Sequence, residues 1–216
     1  MNILLLGAPG AGKGTQAKII SKKLNLPIVS MGDMLREMIK QDEELKLKAL
    51  PYMGAGKLVP NEIVKEILKK RLEKQDCKDG FILDGYPRNK EQAELLTSIG
   101  VEIDRVIEIF VSEEEILNRL ATRKICSRCG ETFNVNFNKP KKEGVCDFCS
   151  AELVIRPDDK EETIKNRIGI FKEETKPLED YYDGLGKLFV VDGNKAAPLI
   201  TQDIMNIIEG NSLWLA

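Results

Sequence analysis

Near the amino terminus, Gly7-Ala8-Pro9-Gly10-Ala11-Gly12-Lys13-Gly14-Thr15 sets four glycines, a lysine and a hydroxyl directly after a short apolar run. Such a run, ending in glycines and leading into helical spacing, is the setting in which a glycine-rich loop holds phosphate. Glycine lets successive backbone N–H groups turn toward one anion at a helix N-terminus, and Lys13 adds a point charge against the same phosphates. Gly14 stands where a serine or threonine commonly follows the lysine, so the nearest hydroxyl is that of Thr15. A magnesium ion here is therefore expected to be held mainly by phosphate and water.

A second group is Cys126-x2-Cys129 and Cys146-x2-Cys149, separated by residues 130–145. This ribbon-like spacing suits one tetrahedral Zn2+. With all four ligands cysteine there is no open coordination position, which makes the metal structural and not catalytic. Two disulfides, or a redox dithiol, are the alternatives. Cys77 stands alone after a charged helix and reads as a packed or surface residue. The chain has no histidine, which removes the commonest general base and all His-based triads and metal sites. Chemistry must run on Lys, Arg, Asp, Cys, hydroxyls and backbone.

Strands and helices must alternate to position these groups. Asn2 to Gly7, Leu26 to Ser30, Phe81 to Asp84, Arg105 to Val111 and Leu188 to Asp192 read as strands. Thr15 to Leu24 and Gly32 to Ile39 read as helices. That rhythm predicts a five-stranded parallel sheet with helices on both faces. Two segments interrupt it. Residues 30–60 are mostly helical, broken by Pro51, Gly54, Gly56 and Pro60. Residues 122–159 carry the cysteines and a β-prone piece from Thr132 to Phe137.

With 216 residues the chain can bury one sizeable core plus small insertions. A formal net charge of −2 argues against a nucleic-acid backbone as partner, while a cleft lined by arginines could still take anionic small molecules. No apolar stretch approaches the roughly 20 residues that span a bilayer. The N-terminal run lacks a basic region and a cleavage site, so a cytoplasmic protein with no membrane partner is expected.

The glycine loop, Gly32-Asp33-Met34-Leu35-Arg36 and Phe81-Ile82-Leu83-Asp84-Gly85-Tyr86-Pro87-Arg88 with Gln92 resemble nucleoside monophosphate kinases. Asn118-Arg119-Leu120-Ala121-Thr122-Arg123, Arg156-Pro157-Asp158-Asp159 and Arg167 resemble the long lid of bacterial-type adenylate kinases. The match runs from residue 1 to about 195. The resemblance implies an α/β P-loop fold with an AMP-binding helical insertion and a zinc-ribbon lid. Its expected segments are a core of 1–29, 60–121 and 160–216, an insertion of 30–59 and a lid of 122–159. It also implies reversible phosphoryl transfer from ATP, with Mg2+, to AMP, giving two ADP. Gly10, Ala11, Gly12, Lys13, Gly14 and Thr15 would cradle the ATP phosphates. Arg119 and Arg123 would reach ATP from the lid, with Thr132, Phe133 and the backbone near Lys195 around its base. Arg36 and Arg88 would grip the AMP phosphate. Met31, Lys57, Leu58, Val59, Gly85, Tyr86 and Pro87 would line the rest of that site, and Gln92 would read the adenine edge. Arg156 and Arg167 would close over the transferring group. With Lys13, Arg88 and Arg123 they would form the catalytic set, and Asp84 would hold the water shell of Mg2+.

Phosphoryl transfer needs little covalent help, because charge spread over equatorial oxygens must be met by fixed cations in a dry site. Arginine's planar fork serves two polyanions better than lysine can. A kinase accepting UMP or CMP is the nearest alternative, disfavoured by the long cysteine lid and Gln92. A nucleotide-dependent switch would need a water-positioning residue that is not found, and a zinc-ribbon nucleic-acid binder conflicts with the charge balance. By the same resemblance, Met31 stands at a position beside the AMP base that is a threonine in most adenylate kinases, so either a packing change or looser choice of monophosphate follows. A monomer is the default. The tail Asn211-Ser212-Leu213-Trp214-Leu215-Ala216 is expected to pack on its own core or on a second subunit, since leaving its apolar residues in water is unfavourable.

Overall fold

The computed structural model describes residues 1–210; the Asn211–Ala216 tail lies outside the described residues. Strand β1 (Asn2–Leu6) leads through the glycine loop into helix α1 (Lys13–Leu24), followed by β2 (Ile28–Ser30). Helices α2 (Met31–Met38), α3 (Glu43–Gly54) and α4 (Asn61–Leu72) precede β3 (Phe81–Asp84), α5 (Lys90–Ser98), β4 (Arg105–Phe110) and α6 (Glu113–Ala121). A small sheet of β5 (Arg123–Cys126), β6 (Thr132–Asn134) and β7 (Leu153–Val154) comes next. Helix α7 (Glu161–Ile170), α8 (Pro177–Asp183), β8 (Leu188–Asp192) and α9 (Ala197–Ile208) complete the described chain.

The five parallel strands lie in the order β2-β3-β1-β4-β8. Their side chains alternate between two apolar layers. Leu4, Leu83 and Val106 enter one, while Ile3, Ile82 and Ile107 enter the other. Burial on both faces explains why the inner strands β1 and β3 read as continuous apolar runs. The register places Ser30 beside Asp84 and Leu5 between Asp84 and Ile107. The carboxyl ends of β2, β3 and β1 therefore open on one side of the sheet, where the glycine loop lies.

Several boundaries differ from expectation, most by one residue, and three have a clear local reason. Helix α1 begins at Lys13, because Gly12, at φ 101°, turns the loop straight into it. Strand β2 starts at Ile28. Asn25 adopts a left-handed conformation and the Leu26 N–H donates to Ser21 O (3.2 Å), so Leu26 belongs to the helix closure and not to the sheet. Pro51 lies inside α3 instead of ending it. The first turn of α3 is secured by Asp42, whose carboxylate accepts from Leu45 N.

The small sheet is antiparallel, in the order β6-β5-β7. The expected β-prone run to Phe137 stops at Asn134, whose side-chain oxygen accepts from the Asn136 and Phe137 N–H groups and bends the chain. Between α7 and α8 the helix widens over Phe171–Thr175 into a π turn, closed by Lys176 N–H donating to Phe171 O at 2.8 Å.

Candidate functional site

The glycine loop is organised around Lys13. Its ammonium donates to Gly7 O at 2.7 Å and Ala8 O at 2.9 Å, pinning the loop from within. Helix α1 has no side-chain cap, so its first N–H groups have no side-chain acceptor and are left to an anion. A Cβ at Gly7 would lie 2.6 Å from Ile109 O, so only glycine lets the loop cross β4 this closely.

Around the loop the structure gathers Arg36 from α2, Arg88 after β3, Arg123 from β5, Arg156 after β7 and Arg167 from α7. Six cations face four carboxylates, Asp33, Asp84, Asp158 and Asp159, giving a positive cleft in a chain of net charge −2. Burial pulls the Lys13 ammonium down to about 8, aided by Arg88, Arg167 and Arg123 and opposed by Asp84. Burial likewise lowers Arg167, to about 10, although Asp158 opposes it. Burial raises the carboxyl of Asp84 above its ordinary range, against the pull of Lys13. A desolvated cluster with a surplus of one sign is the arrangement expected where an anion completes the charge balance.

The arginines are held by partners that the sequence reading did not assign. Asp159, wholly buried, accepts from both Arg123 and Arg167. Asp158 takes Arg156 through two bonds, at 3.0 and 2.8 Å, and lies 3.1 Å from Arg167. Burial would raise Asp158, but Arg156 and Arg167 hold it well below the usual carboxylate range. Arg88 is fixed at three points. Its N–H donates to Gln92 Oε1, its O accepts from Thr175 Oγ1, and its Nε donates to Gly85 O. Arg36 pairs with Asp33 one turn earlier on α2.

Arg119 bridges three elements. It donates to Glu115 on its own helix, to Ala11 O in the glycine loop and to Gly193 O after β8. The Phe137 ring covers its guanidinium at 5.2 Å. Beside them, Ser112, Glu114, Glu115, Asn118, Phe137 and Asn194 line a cavity of about 380 Å³. Phe133 is placed elsewhere, buried in the small sheet with Cys126, Cys146 and Leu153. Thr132 lies beside it on β6, and Lys195 pairs with Asp203. Alternation along a strand could have signalled that Phe133 turns inward. Nothing in the sequence singled out Phe137.

On the other side of the cleft, Thr163 Oγ1 and Asn166 Nδ2 of α7 donate to Gly54 O and Ala55 O, bringing the segment with Lys57, Leu58 and Val59 against α7. Val59 and Met31 are buried in the core layer below, as is Tyr86 before the cis bond to Pro87. Both ends of the Gln92 amide are engaged, with Arg88 N–H and with Asn61 Oδ1 at 2.8 Å.

All four sulfurs of Cys126, Cys129, Cys146 and Cys149 lie within 4.8 Å of one another, and none is in a disulfide. Cys126 Sγ is 3.3 Å from Cys149 Sγ and Cys129 Sγ is 3.6 Å from Cys146 Sγ. A tetrahedron with Zn–S bonds of about 2.3 Å has edges of roughly 3.8 Å, so the donor set fits zinc in both chemistry and size. Cys77, buried in the core, accepts from Arg71 and takes no part.

A family model for adenylate kinase matches residues 5–187. An adenylate kinase of Caldicellulosiruptor bescii is 49% identical over 212 residues, 96% of this chain and 99% of that protein. One from Acetivibrio thermocellus is 45% identical over 217 residues, 99% of this chain and 100% of that protein. One from Staphylococcus aureus (strain Mu50) is 47% identical over 213 residues, 97% of this chain and 99% of that protein. The matched span takes in the glycine loop, the arginine-bearing segments and the cysteine cluster, and the chain belongs to the adenylate kinase family.

Proposed function

We propose that the chain transfers a phosphoryl group reversibly between ATP and AMP, giving two ADP. The observation that carries this is the convergence of Lys13, Arg36, Arg88, Arg123, Arg156 and Arg167 on one cleft, enough fixed cations for two polyanions brought in line. The uncapped N-terminus of α1 and Lys13 receive the donor's β- and γ-phosphates. Arg36 and Arg88 hold the acceptor phosphate. Arg123, Arg156 and Arg167 meet the charge that develops on the migrating group, where they act in low dielectric without reorganising. The donor base rests in the cavity beside Arg119 and Phe137, and the acceptor base near Lys57 to Val59 and Gln92.

Magnesium, when bound with ATP, supplies further charge neutralisation between the phosphates. Asp84 suits its water shell, since a carboxylate oxygen lies 3.6 Å from the position a Cβ on Gly14 would take. Zinc on the four cysteines staples the small sheet. Segments 30–59 and 122–159 close over the remaining core and exclude water, so phosphate passes to AMP and not to solvent. The enzyme acts in the cytoplasm as a monomer. No helix among the described residues is long and apolar enough to cross a membrane.

Purified protein given Mg-ATP with AMP, CMP, UMP or GMP in turn tests this reading. ADP formation with AMP far above the others is expected; equal turnover of UMP or CMP, or release of inorganic phosphate without transfer, would overturn it.

A further inference from the structure

The four cysteines differ in what surrounds their sulfurs. Cys126 and Cys146 are 2% and 1% exposed, and the Cys126 sulfur also accepts the Cys129 N–H at 3.4 Å. Cys149 is half-buried, whereas Cys129 is exposed, next to exposed Ser127 and Arg128. An oxidant arriving from solvent therefore meets Cys129 first. Its nearby sulfur partner across the cluster is the buried Cys146 at 3.6 Å, and the second cross-pair is Cys126 with Cys149 at 3.3 Å. Both of these pairs run from one Cys-x-x-Cys loop to the other.

We propose that this cluster is an oxidative modification site as well as a metal site, with Cys129 as the sulfur attacked by a peroxide and Cys146 as its resolving partner. The inference rests on the zinc reading of the cluster. The Cys129 thiolate attacks one oxygen of hydrogen peroxide; the O–O bond breaks, an S–O bond forms, and hydroxide leaves. Sulfur has then given two electrons to the peroxide and stands as sulfenic acid. The Cys146 thiolate next attacks that sulfur. The S–O bond breaks, the S–S bond forms, and a second hydroxide leaves. Two protons from solvent turn the hydroxides into water, so two thiolates, one peroxide and two protons give one disulfide and two waters.

With two of four ligands gone, the remaining pair no longer holds the metal. Cys126 and Cys149 react with a second peroxide in the same way. The sulfurs must close from 3.6 and 3.3 Å to about 2.0 Å, the first pair as its two sulfurs leave the metal and the second once the metal is gone. Because each bond joins the two loops, the oxidised sheet stays stapled at the same place, and a dithiol with added zinc restores the starting state.

The test uses the full-length, zinc-loaded protein, treated with hydrogen peroxide in substoichiometric steps. Released zinc is read with a chromophoric chelator, and quenched samples are alkylated and mapped without reduction. The expected result is loss of about one zinc per chain in step with two thiols, a first cross-linked peptide joining Cys129 to Cys146, and Cys77 still alkylatable. A first disulfide within one loop, Cys126–Cys129 or Cys146–Cys149, would overturn the proposal. So would oxidation of Cys77 ahead of the cluster, or zinc retained with all four thiols intact at peroxide levels that oxidise free cysteine. Metal analysis before treatment separates the two readings: absence of zinc refutes the metal site, while the peptide map still decides the pairing. In Cys129→Ser reconstituted with zinc, release should lag behind that of the parent chain, and release at the parent rate would refute the role of Cys129.

Discussion

Raising the pH from 7 to 9 should weaken ATP binding through a single group, the ammonium of Lys13. In the free protein burial and three arginines draw it down to about 8. Bound phosphates put several negative charges beside it and restore the charged form, so its bound-state value returns at least to the ordinary lysine range. Affinity from this group is therefore fully present below pH 8 and is lost as the pH climbs from 8 toward the bound-state value. At pH 9 only about one free site in eleven carries the proton, so the dissociation constant should rise about tenfold between pH 7 and 9. Stopping at pH 9 keeps Arg167, held at about 10, protonated. Titration calorimetry in buffers of different ionisation enthalpy reads the proton directly: about 0.9 proton should be taken up per ATP at pH 9 and about 0.1 at pH 7. Lys13→Arg, whose guanidinium stays charged, should abolish the uptake. A flat dissociation constant with no uptake at pH 9, or the same slope in Lys13→Arg, would refute the reasoning.

Chelating the zinc should lower the melting temperature or split off an early transition. Among the described residues the buried lid cluster has Phe133 and Leu153 as its only large apolar members, worth about 3–6 kcal/mol together, against the roughly 10–16 kcal/mol of a structural zinc; an unchanged melting curve after verified metal loss would contradict this. Asp159→Asn leaves Arg123 and Arg167 facing a neutral amide in a buried site and should cost about 3 kcal/mol of stability together with a fall in kcat. Glu161→Gln, which breaks only an exposed pair with Lys165, should change neither, and equal effects would refute the distinction. Met31, 3% exposed within the core layer, should act by packing. Met31→Thr should lose about 2 kcal/mol of stability with monophosphate selectivity unchanged, and a shifted AMP, CMP, UMP and GMP panel would show a role in specificity instead.

The strands Phe81–Asp84 and Leu188–Asp192 were legible to the residue: the first is an apolar run buried on both faces of the sheet, and the second, at the sheet edge, is a short β-branched and aromatic run closed by Asp192 and Gly193. The glycine loop and the cysteine spacing were legible because each demands particular residue types at fixed intervals. What could not be read depended on tertiary company. Pro51 ends a helix by rule, yet its place on the exposed side of α3 lets the helix continue. Phe133 and Phe137 are equally aromatic, and only the turn at Asn134 decides which one meets Arg119. Asp158 and Asp159 sit in a recognisable motif, but their grip on three arginines requires α7 and the lid strand to come together.

The π turn at Phe171–Thr175 sets a phase. It stands between α7, which carries Arg167, and α8, whose Leu178 and Tyr182 are locked in the core. Removing one residue, for instance the exposed Lys172, would return the turn to ordinary helix. With α8 held by its core contacts, α7 would rotate by about 100° and slide about 1.5 Å. Arg167 would swing off Asp158 and Asp159, and Thr163 would leave Gly54. The length of this turn, exposed only over residues 172–174, is thus as constrained as a buried residue. A deletion there should abolish turnover, whereas one in the exposed stretch 139–143, which anchors no arginine, should be tolerated.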